Sequence, residues 1–435
     1  MTTPKDSGAG LRAAQPAGQD APDNPAPAND RPPAADHPPA SNGDLPLTDP
    51  ITAESGVVTA LGGPSGETPL HQRVKTFLVG KPRDIRDQTV FHSVSLVAFL
   101  AWVGLGADGL SSSCYGPPEA FHNLHGHTYL AVFLSLATIL TVFVISKCYS
   151  HIIEEFPSGG GGYLVASKLL GRRAGVVSGS ALLVDYMLTI TTSIAAAGDA
   201  LYGLFEPYLL GGVRWLHEYP MFSWLPLPRD NWKLYCEYAA IVLLIVMNLR
   251  GVRESVKALL PVFLLFLATH LLLIAGSVSL HLAGVVDVAK DVTGEVKHSL
   301  DDPQFGLWAM LALLLRAYSM GAGTYTGIEA VSNSMPVMRE PRVATAKKTM
   351  IYMACSLSFT AGGLMLAYLL LRIGPQEGKT LNQVLTEQFL NDIRFGTSGL
   401  GGLLLWLTMI SEGALLFVAA QAGFIDGPRV LANMA

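Results

Sequence analysis

The 435 residues are half apolar and only 14% charged, with a mean hydropathy of +0.37. That excludes an ordinary soluble domain, because a water-facing surface around so large a core needs more charge. The net charge of −5 is mild and leaves no basic footprint for nucleic acid. Four scattered cysteines, Cys114, Cys148, Cys236 and Cys355, lack metal-ligand spacing and read as packing thiols.

In chain order, residues 1–70 are rich in Pro, Ala, Asp, Asn and Gly and poor in aromatic and long apolar side chains, so a disordered tail is expected there. No apolar run preceded by basic residues lies near Met1, so the segment does not read as a cleaved signal peptide. Residues 71–92 form a basic juxtamembrane segment, and 93–435 a transmembrane domain. Eight apolar runs, each near the roughly 20 residues that cross a bilayer, are predicted as helices. They cover 93–120 (interrupted near Asp108), 127–148, 173–205, 236–250, 256–284, 306–337 (interrupted over Gly321–Gly327), 348–373 and 397–426. With the N-terminus inside, roughly sixteen Lys and Arg fall in the inner segments and roughly eight outside, which predicts a cytoplasmic N-terminus.

The first run carries Gly104-Leu-Gly-Ala-Asp108-Gly-Leu-Ser-Ser-Ser-Cys-Tyr115-Gly-Pro117. A carboxylate at mid-bilayer costs about 2.5–3.5 kcal/mol on insertion scales, so it marks a partner, a cavity or a pathway. Gly106 and Gly109 beside it predict an interrupted helix whose freed backbone groups serve as ligands. The sixth run is interrupted at Gly321, Gly323 and Gly327, and a lone glycine run of this kind would equally serve close helix packing. Two broken helices at corresponding positions of oppositely oriented units are the signature of a five-plus-five inverted repeat with its site where the breaks meet.

The third run adds Asp185, Tyr186, Thr189 and Ser193, with Asp185, Thr189 and Ser193 spaced i, i+4, i+8 on one face. Either hydroxyl could instead bond back to its own helix. The sixth run follows its break with Thr326-Gly-Ile-Glu329. Buried near other acids, Glu329 is a candidate proton carrier, although a Glu beside a break can also satisfy loose backbone donors. Asp199 and Glu119, nearer the helix ends, read as vestibule charges, and the His122, His125 and His127 cluster as solvated loop side chains. No phosphate loop or zinc-spaced His pair supports an enzyme, and no cofactor is expected.

The Pro157-Ser-Gly-Gly-Gly-Gly-Tyr163 loop and Gly327-Ile-Glu-Ala-Val-Ser-Asn-Ser-Met-Pro336 resemble segments of the amino acid, polyamine and organocation (APC) transporter superfamily. Within it, Phe77–Pro82, Ala107–Gly116, Leu183–Tyr186, Leu249–Ser255 and Thr326–Glu329 resemble the KimA-type potassium/proton symporters of the KUP group. The resemblance runs from about residue 72 to the end of the chain. It implies an all-α membrane protein of the APC/LeuT type in the plasma membrane, importing potassium with protons by alternating access.

Carried over residue by residue, the resemblance implies that Asp108, Tyr115, Asp185, Tyr186, Thr189, Ser193, Thr326 and Glu329 surround potassium, with Glu329 or Asp108 coupling to the proton. Several oxygens replacing the water shell of this weakly hydrated cation would satisfy it. The resemblance further implies a homodimer exchanged through a cytoplasmic C-terminal region. A ten-helix core exceeds the eight predicted runs, so a chain cut short after the eighth helix is expected. The main rival is an amino acid or polyamine permease of the same superfamily, although a substrate carboxylate would meet the like charge of Asp108. A further alternative is a membrane fragment or sensor that binds without transporting.

Overall fold

The computed structural model describes residues 96–217, 232–249 and 256–434. The expected tail 1–70, the juxtamembrane segment 71–92 and the Phe77–Pro82 motif lie outside them. The described residues are helical and contain no strands, only isolated bridges such as Leu96 with Met338. In chain order the helices are α1 (Ala98–Ser111), α2 (Gly116–His122), α3 (Ala131–Glu155), α4 (Gly161–Val165), α5 (Arg172–His217), α6 (Trp232–Leu249) and α7 (Val256–Leu280). They continue with α8 (Leu282–Asp301), α9 (Gly306–Met320), α10 (Ala330–Asn333), α11 (Arg342–Leu370), α12 (Leu381–Asp392) and α13 (Gly399–Met434).

Six of the helical segments among the described residues are long and apolar enough to cross a membrane. They correspond to the six uninterrupted runs predicted from hydropathy, and the two interrupted runs are each split in two. Several helices outlast the apolar run that announced them: α5 continues to His217 and α13 to Met434. Hydropathy marks the part of a helix that lipid or core covers, whereas backbone hydrogen bonding carries the helix past it into polar sequence.

Besides the short α4, two longer helices were not anticipated. The run expected over 256–284 ends at Leu280, and the amphipathic α8 follows with Asp287, Lys290, Asp291 and Glu295 on its polar side. Helix α12 is polar overall, is capped by Thr380, whose side chain accepts from the Gln383 N–H at 3.1 Å, and buries Leu385 and Phe389. The hydroxyl satisfies one of the four N–H groups left over at a helix start.

The first break differs from the expectation. Gly106 and Gly109 lie inside α1, and the helix instead gives way over Ser112–Tyr115, where a short 3-10 turn precedes α2. Pro117 and Pro118 have no N–H to donate to the carbonyls four residues back, at Ser113 and Cys114, so a regular α-helix cannot pass through. The second break falls where expected. A 3-10 turn runs over Gly321–Tyr325, Thr326 is extended, and Gly327 takes φ +82° before α10 starts.

Packing is most extensive between α5 and α13 and between α3 and α11, with α1 held against α11, α13 and α7. One core gathers Phe121, Leu134, Tyr368, Leu385, Phe389 and Met409, and another gathers Ile153, Ile328, Met335, Met350 and Met353. The outer faces are inverted relative to a soluble protein: Leu140, Leu188, Leu243 and Trp308 are exposed, while Asp108, Glu329 and Glu412 are buried. Exposed aliphatic faces and buried carboxylates suit a bundle whose surroundings are lipid.

Candidate functional site

The two breaks pack against each other. Ser112 Oγ lies 2.5 Å from the Gly109 carbonyl and 2.7 Å from the Thr324 carbonyl, so its hydroxyl joins one interrupted helix to the other. Gly116 and Gly327 make the approach possible. A Cβ at Gly116 would sit 2.1 Å from Thr324 Oγ1, and one at Gly327 would sit 2.7 Å from the Gly109 nitrogen and 2.9 Å from Asp108 Cγ. Asp108, 5% exposed in the last turn of α1, therefore lies directly against Gly327.

Tyr115 reaches across the second break. Thr326 Oγ1 donates to the Gly323 carbonyl at 2.9 Å, which leaves it to accept from the Tyr115 hydroxyl at 3.0 Å. On one side of this contact lies a cavity of about 380 Å³ whose walls include Tyr149, Tyr163, Asp185, Thr326, Glu329 and Asn333. Toward the other end of α5 lies a cavity of about 500 Å³ lined by Cys114, Tyr115, Glu119, Asp199, Lys233, Lys379 and Glu412 among others. The Tyr115–Thr326 hydrogen bond thus joins a wall of one cavity to a wall of the other.

Of the eight residues predicted to form the site, Asp185, Thr326 and Glu329 line the first cavity. Tyr186 joins them through Asn333, whose Nδ2 donates to the tyrosine hydroxyl at 3.2 Å. Asp108 and Tyr115 adjoin through Gly327 and Thr326. Thr189 and Ser193 are buried further along α5 and are not among the residues lining this cavity. The buried Ser193 hydroxyl makes no hydrogen bond, not even back to its own helix. Of the residues expected at the breaks, Gly321, Gly323 and Gly327 lie at the second one, whereas Gly106 and Gly109 do not form the first.

Glu329 is 7% exposed. Its carboxylate lies against the backbone N–H groups of Gly327 and of Glu329 itself, and its nearest acids are Asp185 and Asp426. It therefore meets donors freed by the break while also facing the cavity. No Lys, Arg or His lines that cavity, whose polar walls besides the two carboxylates are tyrosine, serine, threonine and asparagine side chains.

Three participants were not singled out from sequence: Asn333, Asp426 and Glu412. The signal for Glu412 was available, since an acid within an apolar run is the same feature that marks Asp108. Asn333 carries no such cost, and only its hydrogen bond to Tyr186 reveals it. Asp199 and Glu119 both line the second cavity, where Asp199 pairs with Lys233. The cysteines differ from the expectation of packing thiols, for only Cys114 is buried and the other three are exposed. Among the described residues no group of three or more His, Cys, Asp or Glu could hold a metal ion.

Residues 96–435 match the family model described as amino acid permease. The chain is also 29% identical over 373 residues to the potassium transporter KimA of Bacillus subtilis (strain 168), which covers 84% of this chain and 54% of that protein. It spans about half the length of the curated relative it matches. With apolar helices long enough to cross a bilayer, two interrupted helices meeting break to break, and a family match over most of its length, this chain belongs to the amino acid permease family of multi-pass membrane transporters.

Proposed function

We propose that this chain is, or forms the larger part of, a secondary transporter that moves potassium ions together with protons by alternating access. The observation that supports this most is the first cavity, where Asp185 and Glu329 face tyrosine, threonine and asparagine oxygens with no basic side chain on the walls. Carboxylates in such a setting call for a cation, because an unpaired charge away from water is costly. A site of hydroxyl, carbonyl and carboxylate oxygens can replace the hydration shell of potassium.

In this reading α1–α2 and α9–α10 are the first and sixth helices of a five-plus-five inverted repeat. Asp108, Tyr115, Asp185, Tyr186, Thr189, Ser193, Thr326 and Glu329 serve the cation, and Glu329, then Asp108, is the proton carrier. The Tyr115–Thr326 contact acts as the thin partition between the two access routes. The protein would reside in the plasma membrane with its N-terminus in the cytoplasm.

Potassium-dependent stabilisation of the purified chain tests the reading without requiring a complete transport cycle. A bound ligand at a hundredfold excess over Kd raises stability by about 2.7 kcal/mol. The melting transition should therefore rise in potassium chloride relative to choline chloride, and Asp108→Asn should remove the rise. Equal melting in both salts would refute potassium binding.

A second reading, an amino acid or polyamine permease, has its own support in the family match and in the cavity volume. About 380 Å³ lies within the range of small-molecule pockets. Under that reading amino acids or diamines, and not potassium, would shift the melting transition.

A further inference from the structure

Outside this site, Glu412 of α13 is the most deeply buried carboxylate among the described residues, with 1% of its surface exposed. One oxygen, Oε1, accepts a hydrogen bond from Asn382 Nδ2, and Asn382 Oδ1 in turn accepts one from the Tyr368 hydroxyl. This chain of bonds ties α13 to α12 and α11. The other oxygen, Oε2, has no hydrogen-bond partner. Glu412 lines the 500 Å³ cavity beside Cys114, whose thiol interacts with its carboxyl group.

No cation around Glu412 neutralises it. On α5 and α6, Asp199, Lys233 and Glu237 form their own ion-pair group. Lys379, before α12, pairs with Glu387 at 2.6 Å. Helix α2 contributes Glu119 and the exposed His122 to the cavity wall. On α7, the buried His270 holds its Nδ1 3.0 Å from the Phe266 carbonyl and stacks on the Phe266 ring. A carboxylate so deeply buried cannot remain charged and uncompensated. Its charge has to be met by a proton or by a cation arriving through the cavity.

We propose that Glu412 is a second ion-exchange site, at which a monovalent cation from the 500 Å³ cavity displaces the proton on Oε2. The O–H bond of the acid breaks, the proton leaves through the cavity, and the carboxylate retains the electron pair and holds the cation. Asn382 donates to Oε1 in either state, so the exchange needs no rearrangement of the Tyr368–Asn382 chain. Cys114 stands at the break of the first helix, so the charge state of Glu412 bears directly on the segment that carries Tyr115. The site is distinct from the Asp185–Glu329 cavity and does not depend on what passes there.

Infrared difference spectra of the purified chain, taken with potassium chloride against choline chloride, test the exchange. The carboxylic acid C=O band of Glu412 should bleach on adding potassium. The S–H band of Cys114 should shift as its neighbour becomes charged, and about one proton per chain should appear in a weakly buffered solution. Glu412→Gln should abolish the S–H shift, Glu329→Gln should retain it, and Cys114→Ser should assign the band. An S–H band in the wild-type chain that does not respond to potassium would overturn the proposal even if Glu412→Gln fails to fold. A C=O response that persists in Glu412→Gln together with the S–H shift would overturn it as well. Because loss of the shift in Glu412→Gln and its retention in Glu329→Gln assign it to Glu412, failure of potassium binding at the first cavity leaves this readout intact.

Discussion

The two cavities on either side of the Tyr115–Thr326 contact treat charge in opposite ways. The first places Asp185 and Glu329 among hydroxyls and amides with no basic side chain on its walls. The second has Lys233 and Lys379 on its walls, pairs Asp199 with Lys233, and leaves Glu119 and the deeply buried Glu412 without an ion pair. Neutralised rims and bare depths mark where an ion can bind, since a charge already paired offers nothing further to a solute. The cavity that holds its acids without lysines is the one to which the proposed transport function assigns the passing cation.

The partition between the cavities is where that contrast breaks most easily. Gly327→Ala puts a side chain at φ +82°, which costs about 1–2 kcal/mol. It also drives a Cβ against Gly109 and Asp108, adding about 1–3 kcal/mol of overpacking. Thermal or denaturant unfolding should register a loss of roughly 2–5 kcal/mol. A stability equal to that of the parent chain would mean that the two breaks do not pack as described.

Smaller in stability but sharper in function is Asp185→Asn. Removing one of the uncompensated carboxylates should weaken potassium binding at least tenfold, about 1.4 kcal/mol, with little change in folding. Titration calorimetry of the variant reads this directly. Unchanged affinity would remove the cation role from the first cavity.

Smallest of the three, Asp199→Asn alters a half-exposed ion pair at the rim of the second cavity. Such pairs contribute a median of about 0–1 kcal/mol, so both stability and potassium affinity should stay near those of the parent. If Asp199→Asn weakened binding as much as Asp185→Asn, the contrast between a paired and an unpaired cavity would fail.

Much of the site was readable because burial of a charge is expensive enough to leave a mark in sequence. Asp108, Asp185 and Glu329 each interrupt an apolar run, and each is found buried or partly buried around the breaks. Thr189 and Ser193 followed from helical periodicity alone, which puts them on the face of Asp185 but does not say how far the cavity extends along it. Gly106 and Gly109 misled for a related reason. Glycine permits a break without causing one, whereas the missing N–H groups of Pro117 and Pro118 do cause it.

The sequence by itself determined that this is a helical membrane protein, which helices are interrupted, and which acids lie within apolar runs. These are local properties, set by hydropathy, by proline and by the cost of a charge in lipid. Only the tertiary structure decided that Ser112 and Thr324 join the two breaks and that Tyr115 closes on Thr326. It alone decided that lysines accompany the acids of one cavity and not of the other. Those relations join residues some two hundred positions apart, and no local pattern encodes which helix end meets which.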